Sequence, residues 1–599
     1  MILRFIILIL LTSSAFAEEN SFDFDKFAQI PILHEGRIKP IDSFARVMLK
    51  KIHGDIKTDN KSAIEWLVGV IFQPENAVQQ NIFLIQDKRL ISNLAITENE
   101  KKLYSFKEVA DAFADHERLI KTLIVKDKKI LSNTELDILA LYEKVTIFAE
   151  LIGSFSIFTP INDGATYFDM LKSRQKIESL LKETVKKKGD KIVEYNNEEQ
   201  EAAQISYRMN LLENIDKNNN LLRIIPPNWE GTEEWLSLWA VIQKGAGSPL
   251  STKLFAKWRE LKTAYIDNNT VAWSKLTTEI GDISFERKDV RPFAIKIEVI
   301  YNKINPLNKS LILYAFAFFA ALLAIVFSSQ RFSMLAYAIM PMAILIHGSA
   351  LLVRMIILMR PPVSTLYESM IFVAFVAAIF GIWLEYKKGG NENLLISALI
   401  APLLISAANI FAADSDTLEV LVAVLNTNFW LGTHVVCITI GYASSLILGT
   451  MAHVYLIKAG IGKTSKENLA KLNKQLHSAA LIALVFTAVG TMLGGIWADQ
   501  SWGRFWGWDP KENGALWIVL WLVWLLHGRI AGQLREIGFA SGLALINIVV
   551  ALAWVGVNLL NVGLHSYGFT NIAANILIIF VLSEIVFVGF ITILARKNQ

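Results

Sequence analysis

The sequence predicts an all-α fold: a polytopic membrane helix bundle of about nine spans, preceded by an exported, mainly helical soluble domain. Of the 599 residues, 53% are hydrophobic, and the mean hydropathy is +0.39, which is too high for an ordinary soluble protein of this length. The apolar residues are also unevenly placed. Residues 18–309 are rich in Lys, Glu and Asp, whereas residues 310–599 form long apolar blocks. The sequence therefore predicts two unlike halves.

The N-terminal segment MILRFIILILLTSSAFA has the pattern of a secretion signal. One arginine precedes a short apolar run that ends in Ala15-Phe16-Ala17. We expect cleavage after Ala17; an uncleaved anchor helix is the alternative, and both export residue 18 onward. The predicted domains are a signal peptide at 1–17, an exported, periplasmic domain at 18–309 and a transmembrane domain at 310–599.

Nine apolar runs in the second half are long enough, at about 20 residues each, to cross a bilayer. They lie near 310–328, 334–358, 366–384, 394–412, 429–457, 476–496, 514–531, 539–560 and 572–594. Basic residues follow the third, fifth, seventh and ninth runs, and the positive-inside rule places them in the cytoplasm. They are Lys387, Lys388, Lys458, Lys463, Lys466, Lys471, Lys474, Arg529, Arg535, Arg596 and Lys597. The loops after even-numbered runs then lie outside with the exported half, which predicts a multi-pass protein of a bacterial inner membrane.

Composition also limits the chemistry. The single cysteine, Cys437, allows neither an internal disulfide nor a CxxC redox motif, so any thiol in the reaction must come from another protein. The net charge of +4 is small and no basic stripe with interleaved aromatic residues is found, so no nucleic acid is expected as a partner. The composition predicts that membrane lipid surrounds the apolar half of the chain.

The outer segment WADQSWGRFWGWDPKENGALW, Trp497–Trp517, is the most informative part of the chain. Trp502, Trp506 and Trp508 lie close together there, between glycines. Glycine lets a flat ligand approach the backbone, and tryptophan offers broad, rigid apolar contact. An aromatic belt explains one or two tryptophans but not this cluster, so the segment predicts a platform for a large planar aromatic ligand. Asp509 in the same cluster is a further candidate for binding the cofactor. It precedes a proline and also suits the N-cap of the next helix, a role that can coexist with binding.

Two histidines fall on the same side of the membrane as this platform. His434 lies in FWLGTHVV near the outer end of the fifth run, and His565 lies in NVGLHSYGF in the outer loop after the eighth. Two imidazoles that meet over an aromatic shelf make a bis-histidine site for haem iron. For either residue alone, a hydrogen-bonded position at the membrane surface is the alternative.

Three further residues are candidates because ionisable groups inside a membrane are costly. His347 and His527 each lie about 13 residues into an apolar run, and we expect them near mid-membrane. They would form a second haem-iron site or a relay for haem; hydrogen bonds to neighbouring helices are the alternative. Arg354, near the outer surface, is a candidate partner for the haem propionates, or it extends to the lipid headgroups.

These residues lie in segments that resemble a known family. WGRFWGWDPKENGALW (Trp502–Trp517) is similar to the WWD signature of haem-handling proteins, and it is closest to the CcsA (ResC) branch of cytochrome c biogenesis. Further segments that resemble this branch are Arg360–Phe372, Phe429–Ile447, Trp524–Ile530 and Val557–Phe569. The resemblance spans about residues 310–595. One departure is Thr365, which stands where the branch usually has asparagine.

The resemblance implies a function in c-type cytochrome biogenesis. The WWD loop with His434 and His565 would hold haem b while the CxxCH thiols of an exported apocytochrome c add to its vinyl groups. That implies a cytochrome c synthase acting within a complex. The alternatives are a haem transporter or chaperone that hands haem to a separate synthase, and a bis-histidine membrane electron-transfer protein.

The segment Ile30–Gly54 resembles the exported region that precedes the CcsA part of fused CcsBA synthases. The CcsB (ResB) membrane spans of such fusions, which include an intramembrane haem histidine, are not found ahead of it. The resemblance therefore implies a separate CcsB-like membrane protein as a partner. Either that partner or His347 would supply the second intramembrane ligand. Thiol-reducing proteins are further expected partners.

Overall fold

The computed structural model describes residues 22–598 except 59–60, 128–129, 163, 227–234, 244–248, 389, 412–415, 422–426, 463 and 558–570. Helices dominate this part of the chain, and its strands form four two-stranded antiparallel hairpins, which confirms the all-α fold class. The chain divides into two compact units, Met1–Val299 and Ile300–Gln599.

The first unit is built from helices of very different lengths. They are Phe24–Ala28, Ile41–His53, Ala63–Phe72, Pro74–Ala77, Lys88–Asn93, Phe106–Asp115, Glu117–Val125, Asn133–Gly153, Tyr167–Met170, Arg174–Lys188, Asn197–Asp216, Leu238–Gln243, Pro249–Ile266 and Thr270–Phe285, with 3-10 turns at Ser156–Phe158, Leu171–Ser173 and Ile192–Glu194. Local sequence fixes several of their starts through capping boxes. Before Asn133–Gly153, for example, the Ser132 hydroxyl accepts from the Glu135 amide while the Glu135 carboxylate accepts from the Ser132 amide.

The hairpins of the first unit are short connections between helices. Their strands are Pro31–His34 with Arg37–Pro40, Lys57–Thr58 with Lys61–Ser62, Asn81–Leu84 with Leu103–Ser105, and Pro160–Asn162 with Ala165–Thr166. One aromatic-rich core lies beneath them. Trp66, Trp258 and Trp273 are each no more than 1% exposed, and the Phe27 ring stacks on Trp273 with 5.2 Å between centroids. Burial of these large side chains stabilises the unit.

The segment Ile30–Gly54 forms the first hairpin and the helix Ile41–His53. Its charged residues make buried ion pairs. Arg37 donates to both carboxylate oxygens of Glu298, at 2.6 and 2.9 Å, and the Ser43 hydroxyl donates to the same carboxylate at 2.6 Å. Glu298 is 1% exposed. Because a buried carboxylate needs such partners, these residues have a structural role within the unit.

Within the described residues of the second unit and the helix that leads into it, nine helices are long and apolar enough to cross a membrane, which confirms the predicted number. We number them as spans. They are span 1 (Pro292–Val326), span 2 (Gln330–Leu358), span 3 (Leu366–Tyr386), span 4 (Glu392–Phe411), span 5 (Asn428–Ile461), span 6 (Lys466–Trp502), span 7 (Pro510–Ile530), span 8 (Glu536–Gly556) and span 9 (Ala574–Lys597). Span 1 is interrupted at Asn305, which has a φ of 49°.

Span 5 is central, with 67% of its apolar window buried, whereas span 9 has 17% buried. Two spans contain one π-helical turn each, at Leu431–Val435 in span 5 and at Leu552–Gly556 in span 8. Such turns are rare and occur frequently at functional sites.

Two helix limits differ from the sequence-based expectation. Span 6 continues to Trp502, so the loop before span 7 begins only at Gly503. Span 7 begins at Pro510, four residues before the apolar run that predicted it. His527 lies in the last turn of span 7, and its depth in the membrane stays a prediction.

Candidate functional site

A cavity of about 1090 Å³, including the space at its open mouth, lies between spans 3, 5, 6, 7 and 8. Among the described residues, five aromatic side chains line it, those of Tyr442, Trp497, Trp502, Trp506 and Trp554. Its wall also includes residues 363–366 of the Pro-rich segment before span 3. The charged or imidazole side chains among the described lining residues are those of His434, Lys511 and Glu512.

The His434 imidazole is oriented by span 6. The residue lies in the π-helical turn Leu431–Val435, and its Nδ1 donates to the Gly490 carbonyl at 2.8 Å. The ring packs edge-on against Trp497, with 5.7 Å between centroids. A proton on Nδ1 leaves the lone pair on Nε2, which is the arrangement that protein hydrogen bonds impose on metal-binding histidines.

Three glycines of span 6 allow this close approach. An added Cβ at Gly490 would lie 2.8 Å from the Ile438 backbone, and one at Gly494 would lie 2.6 Å from Cε1 of His434. At Gly495 an added Cβ would lie 2.7 Å from the Phe505 ring. The glycines therefore make room, in turn, for span 5, for the imidazole and for the loop after span 6.

That loop, from Gly503 to Asp509, is held by the first turn of span 7. The Glu512 carboxylate accepts from the amides of Gly507, at 2.8 Å, and Asp509, at 3.2 Å. Asp509 caps the helix by accepting from the Lys511 amide at 2.9 Å, which confirms its predicted capping role. Asp509 is 6% exposed, and it shapes the loop without being one of the residues that line the cavity.

The three tryptophans predicted as a platform have different positions. Trp502 and Trp506 line the cavity. Trp508 is 71% exposed and has a φ of 56°, a left-handed conformation that is uncommon for a bulky residue. Its ring is nearly perpendicular to that of Trp506, at 87° with 6.1 Å between centroids. Trp506 therefore forms the cavity wall, whereas Trp508 presents its face outward at the loop surface.

Span 8 supplies a wall that sequence analysis missed. Trp554 lies in the π-helical turn Leu552–Gly556, and its indole nitrogen donates to the Ser369 hydroxyl at 3.1 Å. Its backbone carbonyl accepts from Nζ of Lys511 at 3.2 Å. Tyr442 of span 5 packs against it, with 5.6 Å between ring centroids. Nothing in the apolar run around Trp554 sets it apart, whereas Lys511 and Glu512 stand within the WWD-like segment itself.

Arg354 lies outside the residues that line the cavity. It is fully buried and donates to Glu368 at 3.2 Å, to the Thr417 hydroxyl at 3.3 Å and to the Thr417 carbonyl. The Arg360 guanidinium lies 3.6 Å from the same carboxylate. The structure thus places Arg354 in an ion-pair network beside the cavity wall.

The other predicted histidines are not brought to the cavity. His347 is fully buried among spans 1 to 3, where its Nδ1 lies 3.2 Å from the Tyr314 hydroxyl and its ring contacts Phe375. His527 is exposed on span 7, and its Nδ1 donates to the Val523 carbonyl at 2.8 Å. His565 lies outside the described residues. Among the residues that the structure does describe, no group of three or more His, Cys, Asp or Glu side chains is placed to hold a metal ion.

Comparison with known proteins identifies the second half of the chain. A family model described as cytochrome c assembly protein matches residues 363–565, which include His434, the WWD-like loop and His565. Cytochrome c biogenesis protein CcsA of Guillardia theta is 33% identical over 244 residues, which are 35% of this chain and 77% of that protein.

Two other relatives show how far the similarity extends. CcsA of Chlamydomonas reinhardtii is 33% identical over 226 residues, 35% of this chain and 62% of that protein. Protein NrfI of Wolinella succinogenes is 32% identical over 227 residues, 37% of this chain and 25% of that protein. The chain thus spans less than two thirds of the length of each of these two relatives, whereas it spans 77% of CcsA of Guillardia theta. This multi-pass, all-α chain belongs to the CcsA family of cytochrome c biogenesis proteins.

Proposed function

We propose that the cavity binds haem b, the substrate of cytochrome c biogenesis, and presents it to the CxxCH segment of an exported apocytochrome c. The observation that carries this proposal is the setting of His434. Its imidazole lines an aromatic cavity, and its Nδ1 is hydrogen-bonded to the Gly490 carbonyl at 2.8 Å. Histidine ligates haem iron in this tautomer, through Nε2. The broad faces of Trp502 and Trp506 suit a porphyrin.

His565 is the proposed second axial ligand. The support for it is sequence alone: it lies in the segment that resembles the family's second external histidine, within the range matched by the family model. We propose that His565 and His434 together would hold the haem iron. The outward-facing Trp508, 71% exposed, lies at the loop surface where the incoming CxxCH segment would approach.

The proposed reaction is redox-neutral. Haem b supplies two vinyl groups, and each receives a cysteine S–H across its double bond to form a thioether. The thiols belong to the apocytochrome, because Cys437 lies within span 5 with its Sγ 3.5 Å from the Phe486 carbonyl. The contribution of this chain is to hold and orient its substrate, and such positioning accounts for a large part of the rate of many reactions.

We propose that the chain lies in a bacterial inner membrane with the cavity and the exported domain on the periplasmic side. The basic segments after spans 3, 5, 7 and 9 support this orientation. The proposed domains remain a signal peptide at 1–17, an exported domain at 18–309 and a transmembrane domain at 310–599.

The proposed intramembrane haem site joins this chain to a CcsB-like partner. His347 and His527 have different surroundings, since His347 is buried beside Tyr314 whereas His527 is exposed on span 7. Trp517 and Trp524 of the same span are also exposed, at 50% and 58%. A histidine among exposed aromatic side chains on a membrane helix suits a contact with a second protein that supplies the other ligand.

A reconstituted reaction distinguishes a synthase from a haem transporter. The full chain, purified with its bound haem in the ferrous state, is mixed with a reduced apocytochrome c that contains one CxxCH motif. We expect covalent haem on the apocytochrome, measured as haem that remains bound after denaturing electrophoresis. An apocytochrome with SxxSH in place of CxxCH is the control. Haem that reaches the apocytochrome without a covalent bond would contradict the synthase assignment and favour a transporter.

Gly494 tests the position of the His434 imidazole. We expect Gly494→Ala to weaken haem binding by about tenfold or more, because the new Cβ displaces the ring and loss of alignment at a metal ligand has effects of this size. Gly589→Ala in span 9 is the matched control, since an added Cβ there has no atom within 4 Å. Both variants place alanine in a helix, which by itself is favourable. Equal haem affinity in the two variants would argue against His434 as a ligand.

A further inference from the structure

We propose that Lys511 binds the propionate carboxylates of haem and thereby fixes the orientation of the porphyrin in the cavity. The inference rests on the proposed function and names the group that recognises the acidic edge of the substrate. Haem b carries its two propionates along one edge and its two vinyl groups on the other pyrrole rings. A cation that holds the propionate edge therefore decides where the vinyl groups point.

The position of Lys511 supports this role. It lies in the first turn of span 7, directly after the WWD-like loop, and its side chain lines the same cavity as His434, Trp502 and Trp506. Among the described residues that line the cavity, Lys511 is the one lysine or arginine. The rest of the wall is mainly aromatic and aliphatic, so an anionic group of a ligand has no second cationic side chain there to bind.

The ammonium group of Lys511 lies at the cavity wall, beside Trp554. Nζ of Lys511 donates to the Trp554 carbonyl at 3.2 Å, a neutral acceptor. A carboxylate is a stronger acceptor for an ammonium than a carbonyl is, since both partners are charged. A propionate placed beside Trp554 would therefore compete well for the same donor.

The two neighbouring carboxylates hold the backbone of the loop, and the charge of one of them, Asp509, also attracts the Lys511 ammonium. Asp509 accepts from the Lys511 amide at 2.9 Å, and Glu512 accepts from the amides of Gly507 and Asp509. Both lie at the positive end of the span 7 helix, which offsets part of their charge. They shape the loop through its backbone, whereas the Lys511 side chain extends to span 8.

Two arginines are the competing candidates for binding the propionates. Arg354 is fully buried in its contacts with Glu368 and Thr417 and lies outside the cavity lining. Arg504 is exposed in the loop, beside Gly507, and also lies outside the lining. Lys511 is thus the cation that the geometry favours, and Arg504 supplies a matched comparison.

The test uses the full chain, purified in detergent and freed of haem, and measures binding by the Soret absorbance. It is titrated with haem b and with haem b dimethyl ester, in which both carboxylates are blocked. We expect the unmodified protein to bind the free acid about tenfold to a hundredfold more tightly, the range for one hydrogen bond between charged groups. Lys511→Met should abolish this preference, Lys511→Arg should retain it, and Arg504→Met should leave it unchanged.

The possible results distinguish a failure of the proposed role of Lys511 from a failure of haem binding. Equal affinity of the unmodified protein for both compounds, or a preference that survives Lys511→Met, would overturn the role of Lys511 and leave haem binding intact. Loss of the preference in Arg504→Met with its retention in Lys511→Met would assign the propionates to Arg504 and likewise overturn it. If the unmodified protein bound neither compound, the proposed function itself would fail. The ester comparison needs no substitution, so equal affinity for the two compounds would overturn the proposal even if Lys511→Met does not fold, and a loss of the preference in Arg504→Met would do the same.

Discussion

Replacement of His434 by glycine is expected to reduce the haem content of the purified protein by more than about tenfold, and added imidazole is expected to restore it. The imidazole nitrogen is the proposed bond to iron, and loss of the ligand itself should exceed the effect of losing a residue that orients a ligand. The glycine leaves a void of imidazole shape between Gly490 and Trp497, the residues that the ring contacts. Because the cavity is open at its mouth, free imidazole can enter and replace the ligand.

The measurement is the haem absorption spectrum of the purified protein, together with the yield of covalent cytochrome c in cells. His53→Gly is the control. His53 binds the Ile82 carbonyl within the first unit, at 2.8 Å, and ends its helix. An unchanged spectrum in His434→Gly without imidazole would remove the proposed ligand. Loss of haem that imidazole does not restore would instead indicate a collapsed cavity, which circular dichroism and the elution volume of the protein would reveal.

The parts of this site that sequence could predict are those fixed by local pattern. The capping role of Asp509 follows from its place before Pro510 and three residues before Glu512. The tryptophan cluster is contiguous, so one segment of the sequence reveals it. His434 was found because a polar residue near the end of an apolar run is conspicuous.

The parts that sequence could not predict depend on tertiary packing. Trp554 and Tyr442 lie in apolar runs where an aromatic residue is unremarkable, and only the meeting of spans 5 and 8 brings them to the cavity. The three tryptophans of the WWD-like segment are alike in sequence. Backbone conformation nevertheless turns Trp508 outward, while Trp506 lines the cavity. Contiguity in sequence does not decide which face of a loop each side chain takes.

The start of span 7 shows a related limit. The apolar run that predicted this span begins at residue 514. The helix begins at Pro510, because proline and the Asp509 cap suit a first turn that is itself polar. A hydropathy profile does not detect a polar first turn. The apolar run therefore marks the apolar part of the helix and not its start.

Removal of the Glu368 charge is expected to have the second large effect. The sequence alone does not show which charged residues pair with this carboxylate. In sequence, Arg354 is a lone cation near a membrane surface; in the structure it and Arg360 share the Glu368 carboxylate, at 3.2 and 3.6 Å. Arg354 and Glu368 are fully buried and Arg360 is 5% exposed. Burial lowers the pKa of Arg360, and the attraction of Glu368 opposes that shift. The two buried guanidinium groups thus share the Glu368 carboxylate, and the charge of Glu419 also attracts Arg360.

We expect Glu368→Gln to destabilise the membrane unit by about 3–5 kcal/mol, the cost of removing one partner of a buried ion pair. The amide keeps the shape of the side chain, so the loss reports the charge and not a cavity. The measurement is the midpoint of thermal unfolding in detergent, followed by native tryptophan fluorescence. Glu467→Gln is the control, because its pair with Lys471 is exposed on both sides and such pairs contribute little.

The same substitution should also weaken haem binding. Glu368 accepts from the Ser364 amide at 3.0 Å, and its own amide donates to the Thr365 hydroxyl at 3.1 Å. Ser364 and Thr365 line the cavity, so the ion-pair network and the cavity wall are one connected structure. We therefore expect the unfolding midpoint and the haem affinity to fall together in Glu368→Gln and neither to change in Glu467→Gln. A variant as stable as the control would show that water or a rearranged side chain compensates the two arginines, and the network would then have no measurable share in holding the cavity wall.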